Sequence, residues 1–151
     1  MIRVAVQAEP IDLTAEIARA EVGGAGAVAT FTGLVRADDG VDLLELEHWP
    51  GRTEQALTEL ADGAVARWSL LAATVIHRVG PMRPGDRIVF VAAAAAHRAA
   101  ALAACAYLID RLKTDAPFWK RETRAGAARW VEARAGDREA AARWAEGDAQ
   151  P

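Results

Sequence analysis

The sequence predicts an α+β fold built on a mixed sheet, and three observations carry that expectation. Strand-like segments come in pairs between helical ones, in the order β-α-β-β-α-β-β-α-β-β-α. No glycine-rich phosphate fingerprint follows a strand: Gly23-Gly24-Ala25-Gly26 precedes one and lacks the GxGxxG spacing, which argues against a doubly wound dinucleotide fold. The chain has 151 residues, enough to bury a core without disulfides or metals. We read residues 1–151 as a single domain, with residues 145–151 as a frayed tail.

The elements follow in order. Ile2–Gln7 alternates as a strand, and Asp12 is placed to cap a helix over Leu13–Glu21. Gly23, Gly24 and Gly26 mark a loop before a buried strand, Ala27–Val35. Ala37–Val41 is a turn, and Asp42–Trp49 alternates leucines against Glu45 and Glu47 as a half-exposed strand. Pro50-Gly51 breaks the chain; Thr53 then caps a helix to about Trp68, with Leu57, Leu60, Ala61, Ala64, Val65 and Trp68 on one face. Leu71–Val79 and Arg87–Ala94 read as strands joined by a turn, Gly80–Asp86. A long helix runs from His97 to about Lys113, with Leu102, Cys105, Ala106, Ile109 and Leu112 facing the core. Pro117 stops it. Phe118–Thr123 and Arg129–Glu132 pair as short strands, and Asp137 caps a last helix, Arg138–Trp144.

Composition narrows the function classes. Hydrophobic residues make up 52% and charged residues 26%, with a net charge of −3, so no basic field points to nucleic acid. The single cysteine, Cys105, excludes an intrachain disulfide and reads as an inert core thiol. The N-terminus lacks the pattern of a signal peptide. The most apolar stretch, Val89–Ala96, ends at His97-Arg98, short of the roughly 18 residues a membrane span needs. A soluble, cytoplasmic protein is expected. His48, His77 and His97 are scattered without metal-ligand spacing, so no metal site and no cofactor are expected. His77 reads as a hydrogen-bonded structural residue in a strand, and Trp68, Trp130 and Trp144 as packing.

One bias carries information. Of the 18 basic residues, 16 are arginine and two are lysine, Lys113 and Lys120. Arginine cannot lose its proton in a protein, whereas lysine can. A chain that uses arginine almost everywhere and keeps two nearby lysines has a motive for a deprotonatable amine there, although chance spacing gives the same pattern.

Arg111-Leu-Lys-Thr-Asp-Ala-Pro-Phe-Trp-Lys-Arg-Glu122 holds four cations against two carboxylates. A helix ends, a proline turns the chain, and an extended segment brings Lys120 and Arg121 back toward Lys113. This can build a partly dry pocket for an anionic substrate, with lysine as nucleophile or base. Like charges and desolvation favour neutral amine; the helix C-terminus beside Lys113 favours the ammonium. The bland alternative is a helix end with cations on its dipole. His97-Arg98, at the start of the same helix, suit a phosphate. Arg36 opens a loop and serves either as an anion clamp or as surface charge. A helix of roughly sixteen residues spans ~24 Å. The two helix ends therefore share a site only when a second copy supplies one of them, which implies a homodimer with composite sites.

These residues resemble the molybdopterin synthase catalytic (large) subunit family. The resemblance rests on Leu112–Glu122 together with Ala29–Arg36, Leu46–Gly51, Val75–Gly80, Pro84–Asp86, Ala96–Arg98 and Arg129–Arg134, in that family's order. It implies an α/β hammerhead with a small additional antiparallel sheet, and a homodimer core inside a heterotetramer. It also implies a small ubiquitin-like partner whose C-terminal thiocarboxylate gives sulfur to cyclic pyranopterin monophosphate, forming the dithiolene of molybdopterin. Carried over, Lys113 and Lys120 are the catalytic lysines. Leu34, Val35 and Arg36 lie on a substrate loop, His97 and Arg98 bind phosphate across the dimer, Arg121 and Glu122 flank Lys120, and Arg134 lies near the pocket. Asp115 between the lysines, the short Ala37–Val41 loop and the alanines after Arg98 depart from the family pattern. The rival readings are a non-catalytic dimeric module that holds a ubiquitin-like tail, and an unrelated phosphate-binding enzyme.

Overall fold

The computed structural model describes residues 1–37, 40–131 and 135–144; side chains of residues 135–138 are outside the description. Two four-stranded sheets organise them. The first has the order β1-β4-β6-β2, from β1 (Ile2–Gln7), β2 (Ala27–Leu34), β4 (Ala72–Arg78) and β6 (Arg87–Ala95). It is mixed, because β1 runs parallel to β4 while the other pairs are antiparallel. The second has the order β5-β3-β7-β8 and is antiparallel throughout, from β3 (Leu43–His48), β5 (Gly80–Met82), β7 (Phe118–Arg124) and β8 (Ala127–Val131). The expected α+β class with a mixed sheet and a separate antiparallel sheet is what the chain adopts.

The helices are α1 (Leu13–Ala20), α2 (Arg52–Trp68), α3 (Arg98–Asp115) and α4 (Ala135–Ala142). The main core lies between α2, α3 and one face of the mixed sheet, with Leu57, Ala61, Ala64, Val75, Val91, Ala104, Leu108 and Leu112 buried. β6 is alanine-rich where α3 crosses it; Ala93 and Ala95 are buried with Ala101 and Ala104 of the helix, and such small side chains let the layers approach closely. The opposite face takes α1 over Ile76, Phe90 and Ala92. Midway along α3, Trp68, Tyr107 and Trp144 make edge-to-face contacts, and Trp144 Nε1 donates to Asp110 at 2.6 Å.

Several sequence expectations are corrected. Gly80–Asp86 is not all turn: Gly80, with φ of 84°, redirects the chain into β5, and Pro81 is tolerated because β5 is an edge strand. α2 starts at Arg52 with Gly51 as its N-cap, so Thr53 lies inside the first turn and its hydroxyl serves elsewhere. β8 begins at Ala127 because Ala125 and Gly126, both with positive φ, close a two-residue hairpin. α4 begins before Asp137, which is therefore not its cap. Leu102 is 61% exposed, since the buried stripe of α3 runs through Ala101, Ala104, Cys105, Leu108 and Leu112 and leaves Leu102 on the outer face. Trp130 is likewise exposed rather than packed. Cys105 is buried, and burial pushes its thiol up to about 11, which keeps it protonated. No helix among the described residues is long and apolar enough to cross a membrane.

Two local features have measurable consequences. Gly26 passes so close to β6 that a Cβ there would sit 2.1 Å from the Ala96 carbonyl oxygen, whereas a Cβ on Gly23 would meet nothing within 4 Å. Gly26→Ala should cost about 2 kcal/mol and lower Tm by roughly 4–8 °C, with Gly23→Ala within about 0.5 kcal/mol of wild type, read by thermal unfolding.

Glu16 is buried and is held by Arg3 Nε at 2.7 Å and by Arg19. The hydrogen bond from Arg3 holds its carboxyl below the ordinary range, against the opposing effect of burial. A carboxylate depressed in the folded state stabilises above the unfolded pKa, and that stability is lost as pH falls through the folded pKa. Both arginines are partly exposed, which weakens the pairing. Glu16→Gln should therefore lose about 1–2 kcal/mol at pH 7, and the gap should close as pH drops below the carboxylate range in denaturant titrations.

Candidate active site

A cleft of about 660 Å³ opens between the two sheets beside the C-terminal end of α3. Its apolar floor comes from Leu44 and Leu46 of β3, Ile88 of β6, Leu112 of α3 and Phe118 of β7. Its charged wall comes from Arg36, Lys113, Lys120, Glu122 and Arg124. Both lysines of the chain thus face one cavity. Lys113 reaches it from the last turn of α3, and Lys120 from β7 after Ala116 turns extended and Pro117 stops the helix.

Strand alternation sorts the β7 side chains. Phe118, Lys120, Glu122 and Arg124 share the cleft face, and the intervening Trp119 and Arg121 point the other way. Arg121 donates to Glu45 at 2.8 Å and lies over Trp130 at 5.6 Å, so it stands outside the cleft although it neighbours Lys120 in sequence. Glu122 sits between two cations: it accepts from Arg124 at 2.9 Å and lies 3.9 Å from Lys120 Nζ. With its side chain only 12% exposed, Glu122 is the carboxylate that fixes the local charge pattern. Asp115, between the lysines in sequence, pairs with Arg111 at 2.7 Å instead. The expectation of a partly dry pocket needs refining: the floor is apolar and Lys120 half-buried, but Lys113 is exposed in the single chain.

The Arg36 loop is held from below. Val35 is buried, its N–H donates to the Asp86 carbonyl, and its own carbonyl accepts from Gly85, both at 2.8 Å. Asp86 also accepts from the Arg83 N–H at 2.9 Å. The Pro84-Gly85-Asp86 turn is thus the bracket that presents Leu34 and Arg36 at the cleft mouth. A register shift between Gly33 and Leu34 puts Phe31 to Arg36 along its edge, and a Cβ at Gly33 would come 2.6 Å from Val89 Cγ1.

His97 and Arg98 lie elsewhere. They line a shallow depression with Gly26, Ala96 and Ala99 at the opposite end of α3. The fifteen positions between Arg98 and Lys113 correspond to ~22 Å of helix. A single chain does not bring the two groups together. Arg134 lies outside the described residues.

The comparisons with known proteins bear on this arrangement. The family described as MoaE protein matches residues 6–115. The chain belongs to the MoaE family. A molybdopterin synthase catalytic subunit from Ralstonia nicotianae is 52% identical over 146 residues, covering 93% of this chain and 83% of that relative. The structure of molybdopterin cofactor biosynthesis protein E from Burkholderia multivorans matches with a TM-score of 0.82 and 50% identity, over 95% of this chain and 97% of that one. A Helicobacter pylori complex of subunits 1 and 2 of molybdopterin-converting factor contains a chain that shares the fold at a TM-score of 0.73 and 20% identity, over 88% of this chain and 91% of that one.

Sequence reasoning missed some cleft residues of this MoaE-family chain. Arg124 was within reach of it: stepping by two from Lys120 gives Glu122 and then Arg124. Phe31 and Thr32 had no signal beyond strand propensity. His77, read as structural, is buried at the cleft floor; its Nδ1 lies 2.8 Å from the Arg78 carbonyl oxygen, and its ring stacks on Phe118 at 4.1 Å. Thr53, expected as a helix cap, has another task. Fully buried, its hydroxyl accepts from the Trp49 N–H and donates to the Pro117 carbonyl, each at 2.9 Å, tying α2 to the turn between the lysines. Thr53→Val keeps the shape and leaves both groups unpaired. It should cost about 2 kcal/mol in denaturant unfolding, while Thr53→Ser stays within roughly 1 kcal/mol of wild type.

Proposed function

We propose that this chain is the catalytic subunit of a molybdopterin synthase, a sulfurtransferase. It moves sulfur from the C-terminal thiocarboxylate of a small ubiquitin-like subunit to cyclic pyranopterin monophosphate and so forms the dithiolene. The observation that carries the reading is that the chain's two lysines face one cation-rich cleft with an apolar floor. A slim, anionic, extended tail matches such a cleft, and both reacting partners are anions.

In this reading the thiocarboxylate sulfur attacks a pterin side-chain carbon. A carbon–sulfur bond forms, a carbon–oxygen bond of the cyclic phosphate gives way, and the departing oxygen needs compensating charge or a proton. Water then attacks the tail carbonyl carbon and its carbon–sulfur bond breaks, so the tail leaves as an ordinary carboxylate and the sulfur stays on the pterin as a thiolate; a second thiocarboxylated tail delivers the second sulfur of the dithiolene. Lys113 and Lys120 supply acid–base work, and either can take part covalently through the tail carbonyl. Glu122 orients the Lys120 ammonium. Leu34, Val35 and Arg36 border the substrate. The substrate phosphate binds at His97 and Arg98 of a second copy, whose helix start meets this cleft in a homodimer, and two small subunits complete a heterotetramer. Arg134 adds charge near the pocket, and Arg121 acts through the opposite face of β7. The work takes place in the cytoplasm.

The test is product formation with a thiocarboxylated small subunit and cyclic pyranopterin monophosphate. Lys113→Ala should lower the rate by ~10²-fold or more while the partner still binds. Tight partner binding with no product from the wild type would replace the enzyme reading with a non-catalytic module that holds the tail.

A further inference from the structure

We propose that His77 is a positioning residue for Lys113: its bare Nε2 is the acceptor toward which the Lys113 ammonium turns when the cleft is at work, and it fixes where that group points. The proposal deepens the sulfur-transfer reading and rests on it for its catalytic meaning, though its test does not.

Three features of the geometry support it. First, His77 and Lys113 line the same cavity although they come from different layers, His77 from β4 and Lys113 from the end of α3. Second, the tautomer is set. A carbonyl oxygen only accepts, so the 2.8 Å contact between Nδ1 and the Arg78 oxygen places the proton on Nδ1. In a neutral ring that leaves Nε2 with a lone pair and no proton, able to accept and unable to donate. Third, the ring plane is held by stacking on Phe118, 4.1 Å between centroids at 26°, which also bridges the two sheets. An imidazole fixed by one hydrogen bond and one stack is a rigid acceptor.

Burial pushes the His77 pKa down to about 4, and the nearby positive charge of Lys113 acts in the same direction. The ring is therefore neutral at physiological pH, and Lys113 is the cation whose charge reaches it. The other charged groups of the cleft fit the role less well. Lys120 and Arg124 are directed at Glu122, the Glu122 oxygens face those two cations, and Arg36 lies on the exposed mouth. A lone pair facing an ammonium favours the charged, aimed form of Lys113, which suits a proton donor to a departing oxygen.

The two-lysine composition makes the test direct. Lysine labelled with 13C at Cε gives one signal each for Lys113 and Lys120 in the full chain, assigned with Lys120→Arg. In His77→Asn the side-chain amide keeps the bond to the Arg78 carbonyl but does not reach the place of Nε2. The Lys113 midpoint should fall by about one pH unit, with Lys120 unmoved. His77→Gln, whose amide oxygen reaches that place, should bring it back toward wild type. An unchanged Lys113 midpoint in a folded Asn variant overturns the proposal.

A second measurement leaves His77 intact. The 15N shift of its Nε2 should step at the Lys113 midpoint and lose that step in Lys113→Met; absence of the step in the wild type overturns the proposal. A chain that shows both responses but makes no product with a thiocarboxylated partner refutes sulfur transfer and leaves the His77 assignment standing.

Discussion

The buried hydroxyl of Thr53 joins parts of the chain that nothing else in their local sequence would hold in register. It accepts from the backbone that enters α2 and donates to the Pro117 carbonyl, 64 positions later. Proline is what creates the need. It removes a donor, stops α3 and leaves a partly buried carbonyl at the bend, and such a group without a partner costs up to about 1–3 kcal/mol. Satisfying that carbonyl from α2 fixes the angle at which β7 leaves the helix. That angle sets the β3–β7 register, Leu46 opposite Lys120 and His48 opposite Phe118. The register decides which side chains of β7 face the cleft.

The electrostatics follow from that register. A shift of one residue would exchange Lys120, Glu122 and Arg124 for Trp119, Arg121 and Thr123 on the cleft face. The outer face is built to resist the exchange: Arg121 is tied to Glu45 and stacked on Trp130, so turning it inward would break an ion pair and a cation–π contact together. Inside, Glu122 offsets part of the positive charge. It keeps neighbouring cations from repelling one another apart and leaves the cleft attractive to anions. The apolar floor lowers the local dielectric, so each remaining charge acts more strongly on a bound group than it would on an open surface.

Much of this was legible in the chain because local rules agree with the global fold. Alternation identified β1 and β3, helical spacing identified α2 and α3, and Pro117 identified the bend before the short strand β7. The failures have specific causes. Leu102 was placed on the core side in one stripe with Cys105, Ala106, Ile109 and Leu112, but on an alanine-rich helix the alanines pack tightly and a leucine one position off the buried stripe faces out. Gly80-Pro81-Met82 carries turn residues and is nevertheless an edge strand, since its partner β3 supplies the ladder. Thr53 and His77 act through partners far along the chain, and a single sequence gives no sign of such pairings. Lys113 and Lys120 were legible for the opposite reason: they break the chain's own bias.

That bias connects composition to mechanism. A guanidinium is charged at every accessible pH and binds oxyanions with a planar fork; an ammonium is compact and can surrender its proton. Where this chain needs charge to pair, to stack or to bracket a loop, it uses arginine: Arg3 and Arg19 on Glu16, Arg111 on Asp115, Arg121 on Glu45, Arg124 on Glu122. All of these are static tasks, for which a group that never titrates is the better choice. The two positions that kept lysine are the two that meet in the cleft from opposite sides of Pro117. An arginine at either place would hold an anion equally well but could not hand over a proton. In the sulfur transfer proposed above, Lys113 and Lys120 supply the capacity to change charge during a cycle, and the scaffold of fixed arginine pairs around them keeps the rest of the field constant while they do so.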